Sequence, residues 1–225
     1  MSALHQSKLR VDWAREKVEQ FTFARQRVYE DAMRVVADNP QLEPRDVYFL
    51  FRDNLINITI QWVSEFVLHA RAALDYIIFI VSQRDAGDEF HPDDDRTQFP
   101  IEKAPQLFPR NRKSFLRHLT PEHFAMVEKC QPYNGLHSLL LLNRLSNVDK
   151  HREFIHPSFI GMISGIIVPA KAQAESPSSI GEMKGERRHT FQVLLDDGTP
   201  IEEALTNIVS EVSEIVNYFD AVLTL

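Results

Sequence analysis

The chain has 225 residues, 44% of them hydrophobic and 25% charged, which is the balance of a soluble globular protein long enough to bury a real core. A formal net charge of −7 argues against non-specific nucleic-acid binding by the whole surface, while leaving room for a local basic groove. A single cysteine, Cys130, excludes an intramolecular disulfide; with no catalytic partner pattern around it, it reads as inert filler.

The opening MSALHQSKLRVDWAREK lacks the apolar core of a signal peptide. No apolar run reaches the roughly 18 residues of a membrane span, since LDYIIFIV gives way at once to Ser82, Gln83 and Arg84. A cytoplasmic protein with no membrane partner is expected.

Residues 5–38 predict a helix: Val11, Ala14, Val18, Phe21, Phe23, Ala24, Val28, Ala32 and Val35 recur mostly three or four apart, and Asn39-Pro40 stops the run. DVYFLFRDNLINITIQ is rich in β-branched and aromatic residues around Arg52-Asp53-Asn54. It predicts a hairpin with strands near 46–51 and 56–61, with backward continuation of the next helix as the alternative. Residues 62–84 predict a central helix, apolar over most of its circumference. On it Ser64, Arg71, Asp75 and Ser82 fall in one narrow stripe, and Arg71 can meet Asp75 four residues on.

DAGDEFHPDDDRTQFPI reads as a solvated acidic loop. Asp88, Glu89, Asp93, Asp94 and Asp95 lack the alternation and glycine of a calcium loop. FPIEKAPQLFPRNRK reads as a packed irregular connection, followed by short helices over 114–119 and 121–129, the second capped by Thr120 with Pro121 at its first position. QPYNG turns the chain into a helix over 136–154. FIGMISGIIVPA and HTFQVLLDDG are strand-like and flank a polar loop that ends in a small basic run, Lys184, Arg187 and Arg188. That run can touch nucleic acid or simply be solvated. Residues 200–223 predict an amphipathic helix. The expected architecture is mainly α: one helical-bundle domain over 1–225 carrying a small antiparallel β element, as a β-rich insertion at about 155–198 before the C-terminal helix.

The chemistry concentrates in LLLLNRLSNVDKHREF, where four leucines open a helix that ends as a dense polar cluster. At about 100° per residue, Leu140, Arg144, Asn147 and His151 share one side. Asp149 and Arg152 point toward the side of Leu142 and Leu145. Three chemistries fit the aligned face. The first is RNA cleavage without a metal, an arginine stabilising phosphate charge while a histidine moves a proton. The second is a metal site using Asn147 and His151, which lacks the second histidine or carboxylate such a site needs. The third is a plain pocket for a phosphate or carboxylate. Against all three stands an interhelical network, in which Arg71 and Asp75 pair with Asp149 or Arg152 and His151 is simply satisfied. There is no GxSxG, GxGxxG or Walker loop among only seven glycines, and no cofactor is implied.

LHARAALDYIIFIV, TQFPI, QPY and LLLNRLSNVDKHREF, in that order, resemble a widespread group of bacterial helical proteins that carry the same four stations and have no assigned activity. The resemblance covers roughly 60–155 and implies a cytoplasmic α-bundle; Tyr76 stands where the group often has histidine. RLSNVDKH also resembles the hallmark of the HEPN superfamily, an arginine followed after four to six residues by a histidine on a late helix. Arg144 and His151 match its longest spacing, and Leu145 departs from the polar residue that often follows the arginine. The HEPN resemblance implies a metal-independent endoribonuclease of a toxin or anti-phage setting, usually dimeric, with RNA as its partner. Arg144 then holds the scissile phosphate, His151 serves as general acid or base and Asn147 orients substrate or water. Arg71, Asp75, Asp149, Lys150 and Arg152 lend support. The rival expectation is a non-enzymatic bundle that works by binding a protein or ligand, its polar cluster purely structural.

Overall fold

The computed structural model describes residues 2–39, 41–42, 44–91, 97–150, 159–167, 186–195 and 198–224. The fold is mainly α. In chain order it comprises α1 (His5–Asp38), α2 (Pro44–Ala86), α3 (Pro121–Lys129), α4 (Ser138–Lys150), β1 (Phe159–Ile167), β2 (Glu186–Leu194) and α5 (Ile201–Leu223). Short 3₁₀ helices occur at Gly87–Glu89, Pro105–Lys113 and Pro132–Asn134. Among the described residues no helix is long and apolar enough to cross a membrane.

The expected hairpin at 46–61 does not form; α2 runs unbroken from Pro44 through it. Leu55, Thr59, Val63, Phe66, Val67 and Ala70 are all buried, a spacing of three and four that places one continuous stripe along the helix. Extending an existing helix adds one hydrogen bond per residue fixed and needs no second nucleus, so the weak β preference of these residues is overridden. Residues 114–119, expected as a short helix, are turns, and the helical stretch falls just before them at Pro105–Lys113. α3 begins as expected, Thr120 Oγ1 accepting from the His123 amide with Pro121 at the first helical position.

The described residues form two compact units. One takes those of 1–22, 59–156 and 202–225; the other takes those of 23–58 and 157–201. In the first, the core includes Phe21, Phe66, Leu74, Ile77, Phe99 and Phe108, with Leu139 and Leu142 from α4 and Ile208, Val212 and Phe219 from α5. In the second, β1 and β2 form an antiparallel pair, in register from Phe159 opposite Leu194 to Ile167 opposite Glu186. Arg187 and Arg188, expected in a loop, belong to β2, opposite Ile166 and Gly165. Ala32 of α1 and Leu55 of α2 are buried, while Phe23 is 64% exposed with the Arg27 guanidinium 5.8 Å from its ring centroid, and so lies off the buried stripe.

Candidate functional site

Residues 98–103 are the hub of the first unit. Arg71 Nη2 on α2 donates to the Phe99 carbonyl at 2.5 Å, and Asp75 one turn on accepts from the Phe99 amide at 2.9 Å. The two side chains also pair with each other at 3.2 Å. From the other side comes Gln131, fully buried. Its Nε2 donates to the carbonyls of Pro100 (2.9 Å) and Val127 (3.1 Å), and its Oε1 accepts from the Glu102 amide at 2.9 Å. Three of the four sequence stations, in LHARAALDYIIFIV, TQFPI and QPY, therefore meet on one extended segment. A carboxamide and an ion pair supply it with partners that a loop buried away from water must otherwise lack.

The fourth station supplies the opposite wall. α4 buries Leu139, Leu142, Leu145 and Ser146 and leaves Leu140, Arg144 and Asn147 exposed. The alignment of Leu140, Arg144 and Asn147 expected from the helical period thus appears as the outward face of the helix. Its start is held from α5: Glu211 accepts from the Ser138 and Leu139 amides at 3.1 and 3.2 Å, taking two of the donors that a helix N-terminus leaves unsatisfied. Up to Asn147, then, the helix carries Arg144 and Asn147 on an exposed face while Leu139, Leu142 and Leu145 stay in the core.

Between the two walls lies a groove of about 380 Å³. Arg71, Lys103 and Arg110 bring positive charge to it, Leu140, Phe115 and Leu107 an apolar surface, and Asn143 and Asn147 two carboxamides from α4. The one lining carboxylate among the described residues is largely taken: Glu102 receives Arg110 Nη2 at 3.1 Å and Asn111 Nδ2 at 2.9 Å. Arg71 is mostly covered, its side chain 11% exposed. Its Nε and Nη1 are closed to solvent and have no hydrogen-bond partner among the described residues.

Of the residues singled out from sequence, Arg71 and Asn147 line the groove. Arg144 is exposed on the same helix but does not line it. Asp75 holds the Phe99 amide just behind. His151 and Arg152 lie outside the described residues; Asp149 and Lys150 are within α4. Lys103, Arg110, Asn143 and the clamp made by Gln131 were missed. Gln131 sits in QPYNG, which by sequence is only a turn, and nothing in residue spacing couples it to a segment some thirty positions earlier. Among the described residues no group of three or more histidine, cysteine or acidic side chains could hold a metal ion. Cys130 is buried, and burial pushes its thiol up to about 12. Compared with family models, curated proteins and solved structures, the chain matches none.

Proposed function

We propose that this chain is a HEPN-like helical protein that acts on RNA, with the outward face of α4 as its working surface and metal-independent endoribonuclease chemistry as its activity. The observation that carries the reading is the exposure of Arg144 and Asn147 on one helix face, with Asn147 opening onto a groove that also holds Arg71 and Lys103. In this reading Arg144 neutralises the scissile phosphate, a task suited to a guanidinium that stays charged at any working pH. His151 moves the proton between the 2′-hydroxyl and the leaving oxygen, and Asn147 orients the strand. Arg71 and Asp75 support the site from behind by fixing Phe99.

The test is cleavage of RNA in the presence of a chelator by wild type, Arg144→Ala and His151→Ala. A drop of at least a hundredfold in both variants is expected. Equal activity in all three preparations, or none from a folded wild type, overturns the nuclease reading.

One observation favours a second reading, a non-enzymatic bundle that binds a protein or ligand: Arg71 and Asp75 are already committed to Phe99 and to each other, as members of a structural clasp are. Under that reading Arg144→Ala and His151→Ala leave RNA untouched, and the groove still takes a ligand.

A further inference from the structure

We propose that the groove between residues 98–103 and α4 is a base pocket, in which an unpaired base of an RNA strand lies on Phe115 and is read at its edge by the carboxamides of Gln98, Asn143 and Asn147. This deepens the preceding reading and rests on it for the source of the base.

Phe115 lines the groove half-exposed, and among the described residues its ring meets no other aromatic ring and no cation. Other rings of this unit are engaged: Phe108 packs on Phe124, and Phe79 and His118 both meet Phe90 edge-on. An open aromatic face is a platform for stacking, and every base has a π-face to lay on it. Leu107 and Leu140 extend the apolar surface around the ring, and a volume of about 380 Å³ is in the range of pockets that take small ligands.

The polar groups of the groove suit the edge of a base. Gln98 and Asn143 are half-buried and Asn147 is exposed. Among the described residues none of the three carboxamides has a hydrogen-bond partner, and none is closed to solvent, so a ligand in the groove can reach them. Asn143 and Asn147 are four apart on α4 and stand one above the other on its face. A carboxamide carries a donor and an acceptor side by side. A base edge presents the same two kinds of group in a row, amino or imino donors next to ring-nitrogen and carbonyl acceptors. A phosphate only accepts and would leave all three carboxamide oxygens idle.

Charge is placed for the strand that carries the base. Lys103 is exposed, lines the groove and has no ion-pair partner among the described residues, so it is open to a neighbouring phosphate. Glu102 does not repel that phosphate with a bare charge, because Arg110 and Asn111 hold it. Arg71 is committed to Phe99 and Asp75 and holds the wall of the pocket, not the ligand.

The experiment compares binding of a short single-stranded oligoribonucleotide with that of an abasic oligomer of the same length and charge, both 2′-O-methylated so that neither is cut, by fluorescence anisotropy. Wild type is expected to bind the base-bearing oligomer about tenfold or more tighter than the abasic one. Phe115→Leu, Asn143→Ala and Gln98→Ala are each expected to shrink that ratio severalfold while leaving the abasic affinity unchanged. Lys103→Ala is expected to weaken both oligomers alike. The carboxamide variants remove no internal hydrogen bond, so they report on the pocket even where Phe115→Leu disturbs packing.

Equal affinity of wild type for the two oligomers, or a ratio untouched in Phe115→Leu, Asn143→Ala and Gln98→Ala, overturns the pocket. Binding of neither oligomer by folded wild type overturns it together with the RNA reading. A base-dependent ratio without cleavage of unmodified RNA leaves the pocket standing and removes the nuclease reading. Cleavage of RNA with equal affinity for the two oligomers removes the pocket alone.

Discussion

Gln131 and His69 show how single side chains set the conditions under which the first unit holds together. Gln131 gives both ends of its carboxamide to backbone of the 98–103 segment and of α3. Gln131→Ala leaves the Glu102 amide and two carbonyls without it and opens a void, so a loss of about 3 kcal/mol is expected in urea unfolding; a loss below about 1 kcal/mol would show that the segment is held mainly by Arg71 and Asp75. At His69, Nδ1 lies 3.0 Å from Arg10 Nη1. Arginine cannot accept, so Nδ1 must, and the ring is neutral with its proton on Nε2. Burial first, then the charges of Arg10 and Lys17, hold its pKa below the usual 6.5, against the opposing pull of Glu65 and Glu16. A folded pKa below the unfolded one means that the unfolded chain takes up the proton first. The stability tied to His69 is therefore full above about pH 6.5 and is lost as pH falls through the folded value. His69→Gln, which keeps an acceptor for Arg10 but cannot titrate, is expected to flatten the pH dependence of the urea midpoint between about pH 7 and pH 5. An unchanged slope would place the titrating group elsewhere.

At the scale of elements, α4 depends on its neighbour for its start. Glu211 of α5 caps the first amides of α4, so Glu211→Ala is expected to cost about 1–2 kcal/mol and to speed amide exchange chiefly at Ser138 and Leu139. Exchange that rises evenly along α5 instead would mark a packing defect. The helical period alone was enough to read α1, the later half of α2, α3 and α5, because each carries a long stripe of buried apolar residues or a strong local cap. It failed at 46–61, where aromatic and β-branched side chains suggested strands. The correct signal was present in Pro44 and Asp46 at a helix start, and in a stripe that counts Thr59 as core. A buried threonine breaks a purely apolar count, although its position keeps the period. The outward row of Leu140, Arg144 and Asn147 was legible from the same arithmetic. The opposite wall of the groove was not, because Lys103 reaches it from irregular chain and Arg110 from a short 3₁₀ helix, and the Gln131 clamp and the Arg71–Asp75 pair help fix where that chain runs.

For the whole molecule, a net charge of −7 sets terms for any contact with RNA. The acidic background repels a polyanion at long range, so binding must come from a few cations gathered at one place, and its salt dependence must report that small number. Lys103 in the groove, with exposed Arg144 on α4, would neutralise about two phosphates. For a single strand the logarithm of affinity falls with the logarithm of salt at roughly −0.7 per phosphate, so two contacts weaken binding roughly sevenfold between about 50 and 200 mM salt. Fluorescence anisotropy with a labelled oligoribonucleotide measures this directly. Arg144→Ala is expected to lower the slope by about 0.7 and to weaken binding alike for all sequences, as loss of a backbone contact does. A fall of a thousandfold over the same interval would mean a broad basic surface in place of this groove. A flat response would mean that the ligand is not a polyanion, and the reading of the α4 face as an RNA surface would fall with it.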